Sequence, residues 1–178
     1  MDAEALDKFR NELKEIFPLV NGHPDVAGLF RSSSMLSEIG PALSFCFRNV
    51  GITKIVAPEA RGPVLGALVA TELNAGLVLL RKDGQNHPGA DRQIESAITW
   101  SGEKERFISR SFDLDSTDTV LIVDDWITTG NTIRAVMDMV MDSGAECAGV
   151  SVVVNKASLN TVSDLSVQWL VLFDELVD

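Results

Sequence analysis

The sequence predicts a single α/β domain over residues 1–178, built on a twisted, mainly parallel β-sheet that is flanked by helices. Short apolar runs typical of buried strands alternate with amphipathic or apolar segments long enough for helices. A length of 178 residues is ordinary for one domain. No internal repeat, low-complexity tract or linker divides the chain.

The N-terminal quarter of the chain predicts two helices joined by an irregular segment. Over residues 4–17, apolar residues recur at helical spacing with charges between them, which predicts an amphipathic helix. Residues 18–34 are rich in turn-forming residues and are expected to be irregular. A second helix is predicted over about 35–49, broken or bent near Gly40-Pro41.

A strand–helix–strand unit is predicted to begin near Ile52. The run TKIVA is typical of a short buried strand, EARG of a turn, and PVLGALVATEL of a helix. Pro63 falls in the first turn of that helix, where its missing N–H leaves no helical hydrogen bond unmade. The run LVLL predicts the next strand. Two strands joined through a helix are expected to lie parallel in one sheet.

A long polar stretch, residues 81–118, interrupts the strands and helices. Within it, AITWS and RFISR flank Gly102-Glu103-Lys104, which predicts an exposed hairpin. Long segments of this kind in compact domains are usually lids or binding loops. We therefore expect 81–118 to be a flexible lid.

The alternation of strands and helices resumes at TVLIV, after which DDWITTG is predicted to be a loop. A helix is expected to begin near Asn131 and to stop at Ser143-Gly144. Its predicted apolar face consists of Ile133, Val136, Met137, Val140 and Met141. The runs AGVSVVV and VQWLVLF predict two further strands.

Charge and composition exclude several classes of function. The chain has 15 basic and 26 acidic side chains, a net charge of −11, whereas nucleic-acid binding needs a surplus of Lys and Arg. No apolar run approaches the roughly 20 residues that cross a bilayer, and the acidic N-terminus lacks the plan of a signal peptide. We therefore expect a cytoplasmic protein with no nucleic-acid or membrane partner.

The few histidines and cysteines fit no metal-ligand spacing. His23 and His87 each stand beside a proline, whereas Cys46 and Cys147 lie in apolar runs and are expected to be buried thiols. We therefore expect no metal site made by protein side chains alone.

The strongest chemical signal is VLIVDDWITTGNT at 120–132. An apolar run delivers Asp124 and Asp125 to the carboxyl edge of the sheet, where ligands bind in open α/β folds. The following small residues lead into a helix, whose free N–H groups and positive dipole end suit a phosphate. Carboxylates repel phosphate and are expected to face hydroxyl groups or a metal. A phosphorylated sugar offers partners for both halves.

Three other interpretations compete for this motif. Two acids after an apolar strand also occur in Walker B segments, but the chain contains no GxxxxGK[ST]. The acidic pocket of a response-regulator receiver places such a pair on the first strand, and only 53 residues follow Asp125 here. The third interpretation is an acidic turn that only caps the following helix, but capping does not require two acids together with TTGNT.

The segment DDWITTGNT resembles the phosphoribosyl-pyrophosphate (PRPP) signature of type I phosphoribosyltransferases. The rest of the chain looks most like the adenine phosphoribosyltransferase branch. PDVAGLFR at 24–31 resembles that branch's base-binding segment, PEARG at 58–62 its pyrophosphate loop, and Arg81-Lys82 its Arg-Lys element. The resemblance spans about 24–155 in the family's own order. It implies the type I phosphoribosyltransferase fold.

The resemblance implies how PRPP is held. Asp124 and Asp125 would engage the ribose hydroxyls. The 5-phosphate would be cradled by Thr128, Thr129, Gly130, Asn131 and Thr132. The pyrophosphate would meet the loop Glu59, Ala60, Arg61 and Gly62 and the cations Arg81 and Lys82. Of these residues, Asp125 and Arg61 are the predicted catalytic pair.

The resemblance also implies a substrate base, a metal and an assembly. Phe30 would stack on the purine, with Leu29 and Arg31 framing it, within the N-terminal segment 1–34. The expected reaction, part of purine salvage, transfers the 5-phosphoribosyl group from PRPP to a purine base, adenine first, and releases pyrophosphate. Mg²⁺ is expected to bind mainly through PRPP and pyrophosphate. The family leads us to expect a homodimer.

Two departures from the family pattern keep other functions open. The family's lid carries Glu-Tyr-Gly, whereas this chain, aligned on Gly102, has Trp100-Ser101 before the glycine. Trp126 follows the acid pair where a smaller aliphatic residue is usual. The first departure leaves open a non-catalytic PRPP- or nucleotide-binding regulatory protein. Both leave open a transferase for a different nucleobase.

Overall fold

A computed structural model of the chain describes residues 1–98 and 102–177. Its helices are α1 (Ala3–Ile16), α2 (Val26–Leu29), α3 (Ser33–Leu43), α4 (Gly62–Leu73), α5 (Asn131–Asp142) and α6 (Leu159–Asp164). Its strands are β1 (Leu19–Val20), β2 (His23–Pro24), β3 (Lys54–Pro58), β4 (Gly76–Lys82), β5 (Arg92–Ile98), β6 (Lys104–Ser109), β7 (Thr119–Ile127), β8 (Glu146–Asn155) and β9 (Val167–Leu172). Single 3₁₀ turns lie at Phe45–Phe47, Ser111–Asp113 and Phe173–Glu175.

The main sheet has the strand order β5-β6-β4-β3-β7-β8-β9. The pairings from β4 through β9 are parallel, whereas β5 and β6 pair antiparallel with each other and β6 pairs antiparallel with β4. The predicted α/β class with a mainly parallel sheet is therefore confirmed. The predicted hairpin within 81–118 is present too, but much of that stretch is an edge of the sheet rather than a loop.

Helices cover both faces of the sheet. Apolar side chains of α1, α3 and α4 pack on one face, and those of α5 and α6 pack on the other. The central strands are buried on both sides; Ile55 and Val56 of β3 are both 0% exposed although they belong to opposite layers. Continuous apolar runs such as VLIV are therefore what a parallel sheet covered on both faces requires.

The N-terminal elements differ from their predicted bounds. α1 begins after Asp2, whose carboxylate accepts the N–H of Ala5 at 2.8 Å. The segment predicted as irregular contains the β1–β2 hairpin and the one-turn α2. α3 runs unbroken through Pro41, which lies near its C-terminal end where the missing N–H costs little. Gly40 lets α3 approach α4, since a Cβ there would lie 3.0 Å from the Leu68 carbonyl oxygen.

Three local predictions are corrected by the structure. β7 continues through the acid pair to Ile127 because β8 pairs with it along that length, so DDWI is strand rather than loop. On α5, Met141, which was predicted on the apolar face, is 55% exposed, whereas Met139, which was not assigned to that face, is buried. Cys46 is exposed rather than buried.

None of the helices within 1–98 and 102–177 is long and apolar enough to cross a membrane.

Candidate active site

The two predicted catalytic residues meet at the carboxyl edge of the sheet. Asp125 lies near the end of β7 and is 7% exposed. Arg61 precedes α4 in the loop after β3, and its Nε donates to Asp125 Oδ2. Because β3 and β7 are parallel neighbours, their carboxyl ends open at the same place. The sheet topology thus brings together residues that are 64 positions apart.

Asp124 lies beside Asp125 but faces different groups. Its Oδ1 accepts the backbone N–H of Asp125 at 2.8 Å. A Cβ on Gly62 would lie 3.3 Å from the same oxygen, so this glycine lets α4 begin against the acid pair. Burial, and then the neighbouring Asp125 carboxylate, raise the pKa of Asp124 well above its ordinary value.

The loop between β7 and α5 has the shape expected of an anion site. Gly130, which precedes α5, has φ +77°, and a Cβ there would lie 2.8 Å from atoms of Leu165 and Thr161. Both the conformation and the space therefore require glycine. Gly130 offers no side-chain cap to the twelve-residue α5. The N–H of Asn131 donates to Thr129 Oγ1 at 3.3 Å, whereas Gly130 has no side chain that could accept the next N–H groups of the helix.

The β5–β6 hairpin contacts this loop directly. Thr132 Oγ1 donates to Glu105 Oε2 at 2.6 Å, and Asn131 Nδ2 donates to the Ile98 carbonyl oxygen at 2.6 Å. Lys82 Nζ lies 3.7 Å from Glu105 Oε1. A carboxylate from the hairpin therefore occupies donors that the sequence assigns to phosphate and pyrophosphate.

Between the end of β4 and β6 lies an open groove of about 400 Å³, to which both Lys82 and Glu105 contribute. The predicted lid departure at Trp100-Ser101 falls outside the residues that the structure describes.

Glu59 ties the predicted pyrophosphate loop to the end of β4. Its carboxylate forms an ion pair with Arg81 through Nε and accepts the backbone N–H of Lys82 at 2.8 Å. Arg81 also donates to the Asn86 carbonyl oxygen at 3.3 Å. The Glu59–Ala60 peptide bond is cis. Arg81 thus braces this loop, whereas the Lys82 side chain is 51% exposed at the groove.

A second cavity, of about 320 Å³, adjoins the acid pair. Its walls come from the β1–β2 hairpin, the start of α2, the loop after β3 and the end of β7. The lining residues are Val20, His23, Pro24, Asp25, Val26, Arg61 and Trp126. Pockets for small ligands typically measure 300–1,000 Å³ and combine apolar walls with a few polar groups, and this cavity matches that description.

The residues predicted to hold the base lie next to this cavity in sequence but do not line it. Leu29 is 2% exposed in the core, and Phe30 packs against the same apolar cluster. Arg31 follows them at the end of the one-turn helix. Asp25 belongs to the predicted base-binding segment 24–31 but was not singled out, and Val20, His23 and Trp126 were not assigned to the site. Only Trp126 carried a usable signal, as a large aromatic residue directly after the acid pair.

Comparison with known proteins agrees with this geometry. Residues 26–168 match the phosphoribosyl transferase domain family. An adenine phosphoribosyltransferase from Streptomyces clavuligerus is 36% identical over 129 residues, which are 72% of this chain and 70% of the relative. One from Escherichia coli is 29% identical over 175 residues, which are 94% of this chain and 92% of the relative.

Solved structures give the same answer for the fold. A crystal structure of adenine phosphoribosyltransferase from Rhodothermus marinus superimposes with a TM-score of 0.77 at 25% identity, covering 96% of this chain and 99% of the other. That of the enzyme from Thermoanaerobacter pseudethanolicus reaches 0.81 at 20% identity, covering 92% and 99%, a likeness of fold. The fold, the acid pair and the family match over most of the chain agree: the chain belongs to the phosphoribosyl transferase domain family.

Proposed function

We propose that the protein is a purine phosphoribosyltransferase that transfers the 5-phosphoribosyl group from PRPP to a purine base, with adenine as the leading candidate. The observation that carries the proposal is the position of the acid pair, between the loop that begins α5 and the 320 Å³ cavity. A phosphate, a ribose and a flat base joined in that order fit such a cleft. The relatives' activity on adenine supports the choice of base.

The phosphoribosyl part of PRPP is assigned to the end of β7 and the start of α5. The loop 128–132 takes the 5-phosphate through its N–H and hydroxyl groups, after Thr132 releases Glu105. Asp124 and Asp125 accept hydrogen bonds from the ribose hydroxyls. Arg61 and Lys82 face the pyrophosphate as cations, with Arg61 already held by Asp125.

In the reaction, a ring nitrogen of the base attacks the anomeric carbon. The bond from that carbon to the pyrophosphate oxygen breaks, the new C–N bond forms, and the base loses its N–H proton. Because positive charge develops on the ribose, the site's task is to hold both reactants in line and neutralise the leaving group. The paired Asp125 and Arg61 supply one charge of each sign at that point.

Mg²⁺ belongs to the same proposal as a group carried mainly by the substrate. Mg²⁺ is usually bound by one or two carboxylates together with substrate phosphate oxygens. Asp124 and Asp125 are the carboxylates that could add to its coordination. When bound, the ion neutralises the departing pyrophosphate.

A cytoplasmic homodimer that binds neither membrane nor nucleic acid completes the proposal. The net charge of −11 supports the last point. Sedimentation velocity on the purified protein tests the assembly and should give twice the 19.3 kDa chain mass.

A turnover assay tests the activity. PRPP, Mg²⁺ and one base at a time from adenine, hypoxanthine, guanine and xanthine are incubated with the protein, and pyrophosphate release is measured. We expect release with adenine. No release with any of the four bases would refute the proposed activity.

The contact between Glu105 and Thr132 favours one second candidate, a PRPP-binding protein without catalysis. A carboxylate that fills the phosphate loop could serve a sensor that opens only at high PRPP. Calorimetry showing PRPP binding alongside zero turnover would select this candidate, and measurable turnover would exclude it.

A further inference from the structure

The Asp25 carboxylate is one of the polar groups that line the 320 Å³ cavity. Its backbone is held on both sides, since its N–H donates to the Pro18 carbonyl oxygen at 2.7 Å and its own carbonyl accepts the N–H of Gly28 at 3.1 Å. Its side chain, in contrast, has no hydrogen bond or ion pair with any residue in the described part of the chain. The position of Asp25 is therefore fixed while its carboxylate stays available.

Asp25 directly precedes α2, but its side chain does not cap that helix. At the corresponding position of longer helices, Asp2, Ser32 and Ser158 each accept a backbone N–H. Gly28 leaves space for the Asp25 carboxylate, because a Cβ there would lie 2.8 Å from Oδ2. Capping therefore does not explain this acid.

Asp25 forms no ion pair within the described part of the chain. Arg61 also lines the cavity, where its Nε is engaged by Asp125. The remaining walls are apolar or aromatic side chains, apart from His23. A carboxylate without a proton only accepts hydrogen bonds, and leaving it covered without a donor is costly. A ligand that covers Asp25 therefore binds better when it brings an N–H donor to that carboxylate.

We propose that Asp25 determines which purine the site accepts, by taking a hydrogen bond from an amino group at C6 and rejecting an oxo group there. This inference rests on the proposed function. The 6-amino group of adenine donates to a carboxylate, whereas the 6-oxo group of hypoxanthine presents lone pairs to it. Trp126 and Val20 also line the cavity and supply apolar contact area without choosing between the two bases.

Asp25→Asn tests the proposal because the amide keeps the shape and adds a donor. Adenine and hypoxanthine are titrated calorimetrically into wild type and variant, and kcat/KM is measured for both. We expect the adenine-to-hypoxanthine ratio of affinities to fall by roughly ten- to a hundredfold, the size of effect set by a hydrogen bond to a charged group. The loss should appear in KM for the base, with KM for PRPP unchanged.

Asp138→Asn is the matched control, since Asp138 is exposed on α5 away from the cavity, and it should leave the ratio unchanged. A ratio in Asp25→Asn within twofold of wild type would overturn the inference, whatever the turnover. A shifted affinity ratio in a protein that turns over neither base would sustain the inference and refute the proposed activity instead.

Discussion

The proposed ligand site has a phosphate end, formed by the loop 128–132 with Lys82, and a base end, formed by the 320 Å³ cavity. The two ends differ in how their polar groups are paired. At the phosphate end, Thr132 and Asn131 donate to atoms of the β5–β6 hairpin, and Lys82 faces Glu105. At the base end, Asp25 has no side-chain partner among the residues that the structure describes. The phosphate end is thus occupied by the protein itself, whereas the base end is open.

This difference implies two kinds of binding. In the proposed site, PRPP oxygens replace those of Glu105, so we expect the affinity for PRPP to be a difference between two sets of charged contacts. We expect the affinity for the base to depend on the shape of the cavity and on the Asp25 carboxylate. We therefore expect competition between charges to decide the affinity for PRPP, and the shape of the cavity to decide the affinity for the base.

Asp125→Asn should have the largest effect, because the Asp125 carboxylate lies between the phosphate end and the base end of the proposed site. Arg61 loses its ion-pair partner and the ribose loses a charged acceptor. We expect PRPP affinity, measured by calorimetry, to fall by roughly ten- to a hundredfold. An unchanged affinity in a folded variant would show that Asp125 does not hold the sugar.

Trp126→Ala tests the open end alone. Removing the aromatic wall should raise KM for the base by about tenfold, since stacking on a base is typically worth about 1–3 kcal/mol. PRPP affinity should stay within twofold. Phe112→Ala is the control, because Phe112 is an aromatic side chain 70% exposed outside the cavity. A rise in the PRPP dissociation constant equal to that in base KM would contradict the separation of the two ends.

Glu105→Gln tests the competition at the phosphate end. Removing the charge that holds Thr132 and faces Lys82 should tighten PRPP binding severalfold. Glu95→Gln is a matched control on the same hairpin, since Glu95 pairs with Lys104 and Arg106 instead. Weaker PRPP binding together with a lower kcat would instead make Glu105 a working lid carboxylate.

The smallest effect concerns stability and pH. The pKa of Asp124 is raised in the folded protein, so this carboxyl binds its proton more tightly folded than unfolded. At pH values below its unfolded pKa, the Asp124 carboxyl does not lower the free energy of unfolding. As the pH rises from there toward the folded pKa, the carboxyl destabilises the fold increasingly.

Asp124→Asn should therefore raise the melting temperature relative to wild type more at pH 7.5 than at pH 4. The expected difference is about 2–4 °C for each kcal/mol recovered in a chain of this size. An equal shift at both pH values would show that the Asp124 charge does not strain the fold.

Local pattern predicted the parts of the site that lie close together in the chain. The order of Asp124, Asp125 and the loop 128–132 follows from one stretch of 13 residues, and the hairpin follows from two apolar runs around Gly102. The length of β7 could not be predicted in the same way. Its last four residues, Asp-Asp-Trp-Ile, do not form an apolar run, and they are strand only because β8 pairs beside them.

The cavity residues escaped prediction for a different reason. Val20, His23 and Asp25 belong to a segment of turn-forming residues in which nothing periodic marks a wall, and a two-residue strand is too short to detect. Phe30 was assigned the stacking role by resemblance to the family, and in the structure it packs against the core. Its predicted stacking role stays a prediction.

The sequence by itself determined the α/β class and the family, and it predicts that the loop 128–132 binds phosphate, because these depend on short runs whose chemistry is local. Only the tertiary structure decided that Arg61 meets Asp125, that Glu105 accepts a hydrogen bond from Thr132, and that Asp25 and Trp126 line the same cavity. Each of these pairs comes from separate elements brought to one edge by sheet order. Contacts of that kind depend on which strands are neighbours, and no single stretch of sequence contains that information.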